Sequence, residues 1–347
     1  MKKVIHFIIT DVFSGAESVA AHIIKNLPSD WQGFYAAPEG RGLETVRAMG
    51  VNAIPCNTSD IKDIKRVYNE IKPDAVHAHD PRMSFNCALA GVPFVAHLHN
   101  NNPWLRKLCP NSIALRYVCK KAARVLCVSQ SIIDEYIFKG AMENKAEVLH
   151  NCVYADEVRT LAAEPVSEEY DLCFVGRMEE EKNPFDFIRI VADLKKQLPE
   201  VRAVMLGEGS LRTEAETLAA SLDLSDNIAF KGFDINPYKY MAASKVGVLT
   251  SKWEGFGLVA VEHLILSKPF VAYPVGGLVN IVNDENGKLC RDSAQMCEEL
   301  YMLLTDRQYY SKKSQAAYAS VARFCDRKEY TNRLLEAYSL CGKYRGD

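Results

Sequence analysis

The stretch Glu254-Gly255-Phe256-Gly257-Leu258-Val259-Ala260-Val261-Glu262 places two carboxylates eight positions apart around a Gly-aromatic-Gly turn. It follows the strand-like run at 246–250, so we expect Glu254 in the loop at the carboxyl end of a strand and Glu262 on the next helix. In open α/β sheets, ligands bind at that edge. The first amides of the helix would lack intrahelical partners and lie at the positive end of the helix dipole. The stretch therefore predicts an anion site flanked by two carboxylates.

Short apolar runs alternate with longer helical patterns along the chain, which is typical of βα units around parallel sheets. The expected strands form two series, at 4–9, 75–79, 94–98 and 124–128, and at 172–175, 203–206, 228–230, 246–249 and 270–273. The polar, proline-bearing stretch 160–169 between the series is the best candidate for a linker. A chain of 347 residues also exceeds the usual size of one hydrophobic core, so we predict two α/β domains.

Composition restricts the class of partner and the compartment. A chain with 48% hydrophobic residues, 25% charged residues and a net charge of -2 is typical of a soluble globular protein without bulk attraction to nucleic acid. The eleven cysteines form no C-x-x-C pair, which indicates reduced thiols in a cytoplasmic protein. We interpret residues 1–9 as a buried strand, because Asp11 follows and no signal-peptide cleavage site appears. No apolar run approaches the ~20 residues that span a bilayer, so any membrane contact is expected to be peripheral.

The nine-residue stretch resembles the E-x7-E motif of retaining glycosyltransferases with the GT-B fold, in particular the GT4 family. Further segments are similar to that family in the same order along the chain. They are Ser14-Gly15-Ala16-Glu17, the histidine-bearing segments 76–79, 97–99 and 149–151, Phe174-Val175-Gly176-Arg177-Met178 with Lys182-Asn183-Pro184, Met205-Leu206-Gly207-Glu208-Gly209, and 228–233. The chain departs from the family at Ser14, where glycine is more typical, and at Asn280, where many relatives carry Glu.

The resemblance implies an α/β protein of the GT-B fold, with two Rossmann-like domains facing a central cleft. An acceptor-binding domain would cover 1–163, a nucleotide-sugar-binding domain 164–328, and a C-terminal helix at 329–347 would return to the first domain. The implied reaction is retaining transfer of a hexose from a nucleotide-diphosphate sugar, with UDP favoured, to a glycolipid or polysaccharide-precursor acceptor, without metal or other cofactor. Two alternatives stay open: a sugar-nucleotide epimerase or hydrolase of the same fold, and a non-catalytic nucleotide-sugar-binding subunit.

The predicted site must stabilise the negative charge that develops as a diphosphate leaves a sugar. Arg177 offers a planar fork of donors and Lys182 a compact charge, and both would strengthen their contacts as the bond breaks. A carboxylate at Glu262 can accept two hydrogen bonds from the ribose diol, which leaves Glu254 for the transferred sugar. By resemblance, the reacting centre comprises Glu254, Arg177, Lys182 and His99, and the nucleotide site comprises Glu262, Phe256, Gly257, Leu258, Gly15, Gly207, Phe230 and Gly232.

Each of these signals also has an ordinary structural explanation. A Glu-x7-Glu spacing arises by chance on exposed helices, and motif matches are hypotheses. Arg177 and Lys182 are compatible with solvated charges beside the glutamates at 179–181, where surface pairs contribute little. Gly207 would suit any βα connection that needs a flexible turn. The position of the two cations directly after a buried strand favours the ligand interpretation.

Two pairs of histidines, His77 with His79 and His97 with His99, have the i,i+2 spacing that places both side chains on one face of a strand. Such a pair suits zinc, but no third ligand completes either pair in the sequence, so no metal site is expected. The resemblance implies that His99, and after it His79, contacts the transferred sugar or the acceptor. For His77 and His97 a role as hydrogen-bonded core residues is equally compatible.

A basic segment with an aromatic head, 104–124, suits the surface of an anionic membrane. Between 100 and 128 the chain has no acidic residue, and Arg116, Lys120 and Arg124 have the spacing of one helical face. The alternative is an amphipathic helix whose basic side faces water. If the segment binds membrane, the acceptor is expected to be a glycolipid or a polyprenyl-diphosphate-linked sugar. The predicted location is the cytoplasm, either free or peripheral on the inner face of the plasma membrane.

Overall fold

The computed structural model describes residues 1–343 and divides the chain into two compact units. The first unit contains residues 1–152 together with the described residues from 326 onward, and the second contains 153–325. Each unit is built around one parallel β-sheet with helices. This confirms the predicted fold class of two Rossmann-like α/β domains.

The sheet of the first unit has seven parallel strands in the order β3-β2-β1-β4-β5-β6-β7. They are β1 (Lys2–Phe7), β2 (Trp31–Ala37), β3 (Ala53–Pro55), β4 (Ala75–His79), β5 (Val95–Leu98), β6 (Arg124–Cys127) and β7 (Ala146–Val148). Its helices are α1 (Gly15–Lys25), α2 (Arg41–Ala48), α3 (Ile61–Ile71), α4 (Asp80–Ala90), α5 (Pro110–Lys121) and α6 (Gln130–Glu135). Every residue of β4 is buried, as expected for a strand covered on both faces.

The second unit has a six-stranded parallel sheet in the order β10-β9-β8-β11-β12-β13. Its elements are α7 (Ala155–Ala162), β8 (Tyr170–Val175), α8 (Pro184–Lys195), β9 (Ala203–Leu206), α9 (Arg212–Ser221), β10 (Ile228–Gly232), α10 (Tyr238–Ala242), β11 (Ser244–Leu249), α11 (Leu258–Ile265), β12 (Phe270–Ala272), β13 (Gly287–Leu289), α12 (Ser293–Thr305) and α13 (Arg307–Val321). The strand order reverses between β8 and β11. Ligands of doubly wound sheets bind at such a reversal, beyond the carboxyl ends of the strands.

The boundary between the units lies at Cys152/Val153, whereas the sequence places it after residue 163. The difference arises because α7 packs against α10 and α11 of the second unit and buries Val158 there. A proline-bearing polar stretch indicates where a chain is exposed, but the partner of the preceding helix is decided by its apolar face.

The last helix, α14 (Arg327–Lys343), packs against β4 and β5 of the first unit. The predicted helix over 329–347 overlaps it, and residues 344–347 lie outside the described part of the chain. Arg333 on this helix binds Glu147, with 2.8 Å between its Nε and the carboxylate. Among residues 1–343, no helix combines the length and the apolar character needed to cross a bilayer. The eleven cysteines all lie in the described part of the chain, and none of them is in a disulfide.

Candidate functional site

The two carboxylates of the opening motif lie at the edge where the strand order of the second unit reverses. Glu254 is in the loop after β11 and is 8% exposed, and Glu262 is on α11, which begins at Leu258 directly after Gly257. The local structure therefore follows the expectation from sequence: strand, loop, glycine turn, helix. The first amides of α11 open toward the same edge of the sheet as the loop.

Four charged side chains near this edge form a charge cluster, which comprises Arg177, Glu181, Lys182 and Glu254. Arg177 Nη2 donates to Glu181 Oε2 at 2.6 Å. Lys182 Nζ donates to Glu254 Oε2 and lies 3.7 Å from Glu181 Oε1. The side chains of Lys182 and Glu254 are only 13% and 10% exposed, whereas Arg177 is 52% exposed. The cluster is thus neutral as a whole, with its arginine at the solvent side.

The loops after β8 and β11 bring the cluster together although Lys182 and Glu254 are 72 positions apart. Thr250 Oγ1 donates to Asn183 O at 2.9 Å, and Lys252 N donates to Glu181 O at 2.8 Å. These bonds fix the loop that carries Lys182 against the loop that carries Glu254.

Glu181 belongs to the cluster but was not predicted from sequence. Its position as the last of three consecutive glutamates resembles an exposed acidic run, whereas the structure buries it to 8% exposure.

The turns after β8, β9 and β10 lie side by side at this edge. Gly207 has a φ of +130°, and a Cβ on it would lie 2.0 Å from Gly176 O, so only glycine fits. Its N–H donates to Gly232 O at 2.8 Å. The structure therefore brings Gly207 and Gly232 of the predicted nucleotide site next to the turn that leads to Arg177. Phe230 lies half-buried on β10, which is two strands from β8 in the sheet. It is therefore further from the charge cluster than Gly207, which follows β9.

A glycine pair in the loop after β12 supports the motif and was missed at the sequence level. Gly276 has a φ of +53°, and a Cβ on it would lie 1.6 Å from Glu254 O. Gly277 N donates to Gly255 O at 3.0 Å. The adjacent glycines were the available signal, because such close backbone approach requires them. Asn280 stands where many members of the GT4 family carry Glu. It is exposed, and its backbone oxygen accepts a hydrogen bond from Arg323 at 2.5 Å.

Glu262 and Phe256 differ in what their side chains contact. Tyr238 donates to Glu262 Oε1 at 3.3 Å, and burial together with the Glu262 carboxylate raises the pKa of Tyr238 well above its usual value, so it remains a donor. The Phe256 ring is 3% exposed and packs edge-on against Phe324 with 5.2 Å between centroids. The Phe256 ring is therefore part of the core of the second unit.

In the first unit, Gly15 is the first residue of α1 and its preceding loop is held by a buried carboxylate. Glu17 accepts hydrogen bonds from Ser14 Oγ at 2.6 Å and Thr10 Oγ1 at 2.7 Å. Ser14 has an extended backbone, with a φ of -144°. The serine that replaces the more typical glycine thus serves as a partner of Glu17.

Five histidines line one face of the first unit's sheet. The register pairs His6 with His77 and His79 with His97, and His99 follows β5. Burial lowers the pKa of His6 and His99 to about 3, and lowers the pKa of the other three well below their usual value. All five are therefore neutral imidazoles at pH 7, which makes His99 a poor general base.

This arrangement corrects the expectation that neither histidine pair has a third potential ligand. Nitrogen atoms of His6, His77 and His79 lie within 4.8 Å of one another, and so do those of His79, His97 and His99. Sequence spacing reveals the pairs within each strand. The third histidine comes from a neighbouring strand, whose register the sequence does not specify.

The basic segment 104–124 is partly corrected. Arg124 lies on β6 and not on α5, with its Nε 3.9 Å from Glu147, so it does not share a helical face with Arg116 and Lys120. The exposed face of α5 instead combines Arg116, Lys120 and Lys121 with Ile113 and Tyr117, which are 54% and 37% exposed.

Comparison with known proteins matches both units. Residues 13–157 match the family described as Glycosyltransferase Family 4, and residues 161–323 match Glycosyl transferases group 1. These two matches, which together span most of the chain, identify it as a glycosyltransferase of the group 1 and family 4 type with the GT-B fold.

Individual relatives are more distant. The chain is 30% identical over 233 residues to an N-acetylgalactosaminyltransferase of Campylobacter jejuni that is named for a diphospho-undecaprenol-linked substrate, covering 64% of this chain and 62% of the relative. It is 25% identical over 331 residues to the sulfoquinovosyl transferase SQD2 of Arabidopsis thaliana, covering 84% and 63%. The chain thus spans about three fifths of the length of these curated relatives.

Among solved structures, the Anabaena protein HepE in complex with UDP and glucose has a TM-score of 0.85 with 19% identity, covering 98% of this chain and all of HepE. The Staphylococcus aureus protein TarM, solved as a mutant with UDP among its ligands, has a TM-score of 0.76 with 12% identity, covering 97% of this chain and all of TarM. At this level of identity the likeness shows the fold.

Proposed function

We propose that this protein transfers a hexose, with retention of configuration, from a nucleotide-diphosphate sugar to a glycolipid or polysaccharide-precursor acceptor. UDP is the favoured nucleotide, because similar folds are solved with UDP. The observation that carries the proposal is the charge cluster. It places Arg177, Lys182 and Glu254 beside the start of α11, at the strand reversal where such sheets bind ligands.

The two cations of the charge cluster suit a leaving diphosphate. Glu254 holds Lys182 and Glu181 holds Arg177, so each cation has a carboxylate partner that orients it. As the glycosidic bond breaks, negative charge grows on the diphosphate, and fixed donors stabilise that state more than the ground state. With two cations and the first amides of α11 available, we propose that the reaction proceeds without a divalent metal.

Retention is proposed to proceed without a covalent intermediate on either glutamate. Glu254 is tied to Lys182 by an ion pair, and Glu262 accepts from Tyr238, so each carboxylate already has a structural partner. With His99 a poor base, a diphosphate oxygen is the group proposed to take the proton from the acceptor hydroxyl. The acceptor would then attack on the face that the diphosphate leaves.

A lipid-linked acceptor is favoured by the exposed face of α5. Three cations lie there beside the exposed Ile113 and Tyr117, and Leu108 just before the helix is 70% exposed. Basic and apolar side chains on one face suit peripheral binding to anionic lipid. The undecaprenol-linked substrate named for the Campylobacter relative points to the same class of acceptor. We propose that the protein works at the cytoplasmic surface of the membrane.

The test is a metal-free thermal-shift series with UDP-, GDP-, ADP- and TDP-sugars, followed by transfer of a radiolabelled sugar to lipid-linked acceptors. A ligand that binds only the folded state raises the Tm. One nucleotide family should stabilise the wild type, and the shift should disappear in Arg177→Ala and Glu262→Ala. Lys252→Ala is a matched control, because Lys252 lies on the same loop as Glu254 but pairs with the exposed Glu180 at 3.1 Å. Turnover without acceptor would favour the hydrolase, and binding without turnover the non-catalytic subunit.

A further inference from the structure

Lys182 lies between two buried carboxylates that differ in what their oxygen atoms bind. Glu254 Oε2 accepts from Lys182 Nζ and, at 3.3 Å, from Ser251 Oγ, and within the described part of the chain Glu254 Oε1 makes no hydrogen bond. Glu181 Oε2 accepts from Arg177 Nη2 at 2.6 Å, and Glu181 Oε1 lies 3.7 Å from Lys182 Nζ. Glu181 is thus shared by the two cations, whereas Glu254 has an oxygen left for a ligand.

The backbone around Glu181 is fixed as well. The carbonyl oxygen of Glu181 accepts from Lys252 N at 2.8 Å, which ties this segment to the loop after β11. The stem of the next residue, Lys182, lies on Gly176, since a Cβ on that glycine would be 3.3 Å from Lys182 Cγ. Glu181 therefore presents its carboxylate to the cations from a fixed position.

Of the two cations, Arg177 depends more on Glu181. The Arg177 side chain is 52% exposed, and an exposed arginine has many rotamers, among which the bond to Glu181 selects. Lys182 is only 13% exposed and is held by Glu254 as well. Loss of the Glu181 charge would therefore free Arg177 more than Lys182.

The charge of Glu181 is unfavourable for an anionic ligand. A buried carboxylate that contacts both cations reduces their attraction for a diphosphate, because like charges repel where solvent screening is incomplete. A site built only for tight binding would do better without it. Cations that are already fixed, however, stabilise a developing negative charge without reorganising at the moment of reaction. This benefit is the physical reason for a carboxylate at this position.

We propose that Glu181 is a positioning residue, which fixes Arg177 and Lys182 for the charge that develops on the leaving diphosphate and weakens their hold on the diphosphate before the bond breaks. It acts through the two cations and not by contact with substrate. That the charge belongs to a diphosphate rests on the proposed function, whereas the fixing of the cations does not.

The central variant is Glu181→Gln, which removes the charge at nearly constant size. An amide can turn its oxygen to only one of the two cations, because its other end is an NH₂ group. We expect kcat for sugar transfer to fall about tenfold or more. UDP, or the nucleoside diphosphate that the thermal-shift series selects in its place, should bind at least as tightly as to the wild type in calorimetric titration. Effects of opposite direction on turnover and binding distinguish positioning from a loss of stability.

The matched control is Glu180→Gln, which neutralises the adjacent carboxylate. Glu180 is 73% exposed and pairs with Lys252, so its loss should change kcat and the nucleotide affinity by less than about twofold. In the Arg177→Ala background, Glu181→Gln should lower kcat by a smaller factor than in the wild type, since the cation that depends on it most is already absent.

Unchanged kcat in Glu181→Gln, or nucleotide binding that weakens in step with kcat, would overturn the proposal. Glu181→Asp keeps the charge but is one methylene shorter, so it should slow turnover without tightening nucleotide binding. If Glu181→Gln does not fold, this second variant decides, and wild-type turnover in Glu181→Asp would then overturn the proposal.

NMR of the arginine side chains keeps this inference separate from the proposed function. In protein labelled with 15N-arginine and without nucleotide, a guanidinium held by a carboxylate rotates slowly, so the Arg177 signals should be resolved. They should broaden or average in Glu181→Gln but not in Glu180→Gln, and Arg177→Lys assigns them. A freely rotating Arg177 in the wild type would contradict only the positioning role. A held Arg177 in a protein that binds no nucleotide or transfers no sugar would contradict only the proposed function.

Discussion

The charge cluster of the second unit and the five histidines that line the sheet of the first unit both place polar groups at a sheet, but they do so in opposite ways. The cluster balances Lys182 against Glu254 in a buried ion pair. The five histidines stay neutral, and hydrogen bonds join them to one another and to Tyr338. Burial of a charge is costly unless it is paired, and burial of a neutral polar group requires only hydrogen bonds. The two solutions therefore respond differently to pH and to substitution.

The largest expected difference is in acid stability. Burial lowers the folded-state pKa of His6 and His99 to about 3, below the unfolded value near 6.5. As pH falls through 6.5, the unfolded state takes up protons first, so stability is complete above that pH and lost progressively toward pH 3. Each such histidine destabilises by about 2 kcal/mol at pH 5. Burial lowers the pKa of His77, His79 and His97 in the same direction, so they add to this loss of stability.

Hydrogen–deuterium exchange at pH 7 and pH 5 would measure this difference in one molecule. The second unit contains a single histidine, His263, whose pKa burial lowers to about 4. We expect β1, β4 and β5 to lose protection at pH 5 well before β8 and β11, after correction for intrinsic exchange rates. Equal loss of protection in the two sheets would contradict neutral burial of the five histidines.

The next effect in size concerns the charge cluster itself. Lys182→Ala should lower kcat by about 10²-fold or more, since it removes a fixed cation from the leaving diphosphate. It also leaves the buried Glu254 without its cation, so stability should fall as well. Transfer kinetics and Tm would be measured together.

Glu254→Gln in the Lys182→Ala background separates these two effects. The double variant should recover stability, because the uncompensated charge is gone, but not activity. Recovery of both would mean that Lys182 acts only through Glu254. Lys252→Ala, whose pair is exposed, should change stability by less than about 1 kcal/mol.

The smallest expected effect concerns charges that remain in water on the exposed face of α5. Each cation near an anionic membrane contributes about 1 kcal/mol, so Lys120→Glu with Lys121→Glu should weaken binding to anionic vesicles by at least about tenfold. Co-sedimentation with vesicles of stated anionic lipid content would measure it. The control is Lys65→Glu on α3, an exposed lysine elsewhere in the unit. Equal binding of both variants would remove the membrane surface from the proposed function.

Prediction from sequence succeeded where the signal is local. The predicted strands at 172–175, 203–206 and 246–249 all lie within observed strands. A short apolar run bounded by turn residues is typical of a strand buried on both faces of a parallel sheet. Glu254 and Glu262 were placed correctly on loop and helix for the same reason. Errors arose where a residue's partner is distant. Arg124 was predicted on the same helical face as Arg116 and Lys120, but it lies on β6. Glu181 belongs to a run of glutamates that resembles an exposed acidic segment, but the loop after β11 packs over it.

The sequence by itself determined the type of fold and the residues available for chemistry, since hydrophobic period, glycine turns and the Glu-x7-Glu spacing are properties of neighbouring positions. Only the tertiary structure decided which of those residues act together. Lys182 meets Glu254 because β8 and β11 are adjacent at the strand reversal, and His97 reaches Tyr338 through His77 because α14 packs on β4. Register between strands and the docking of a distant helix are set by the packing of the whole core, which no local pattern encodes.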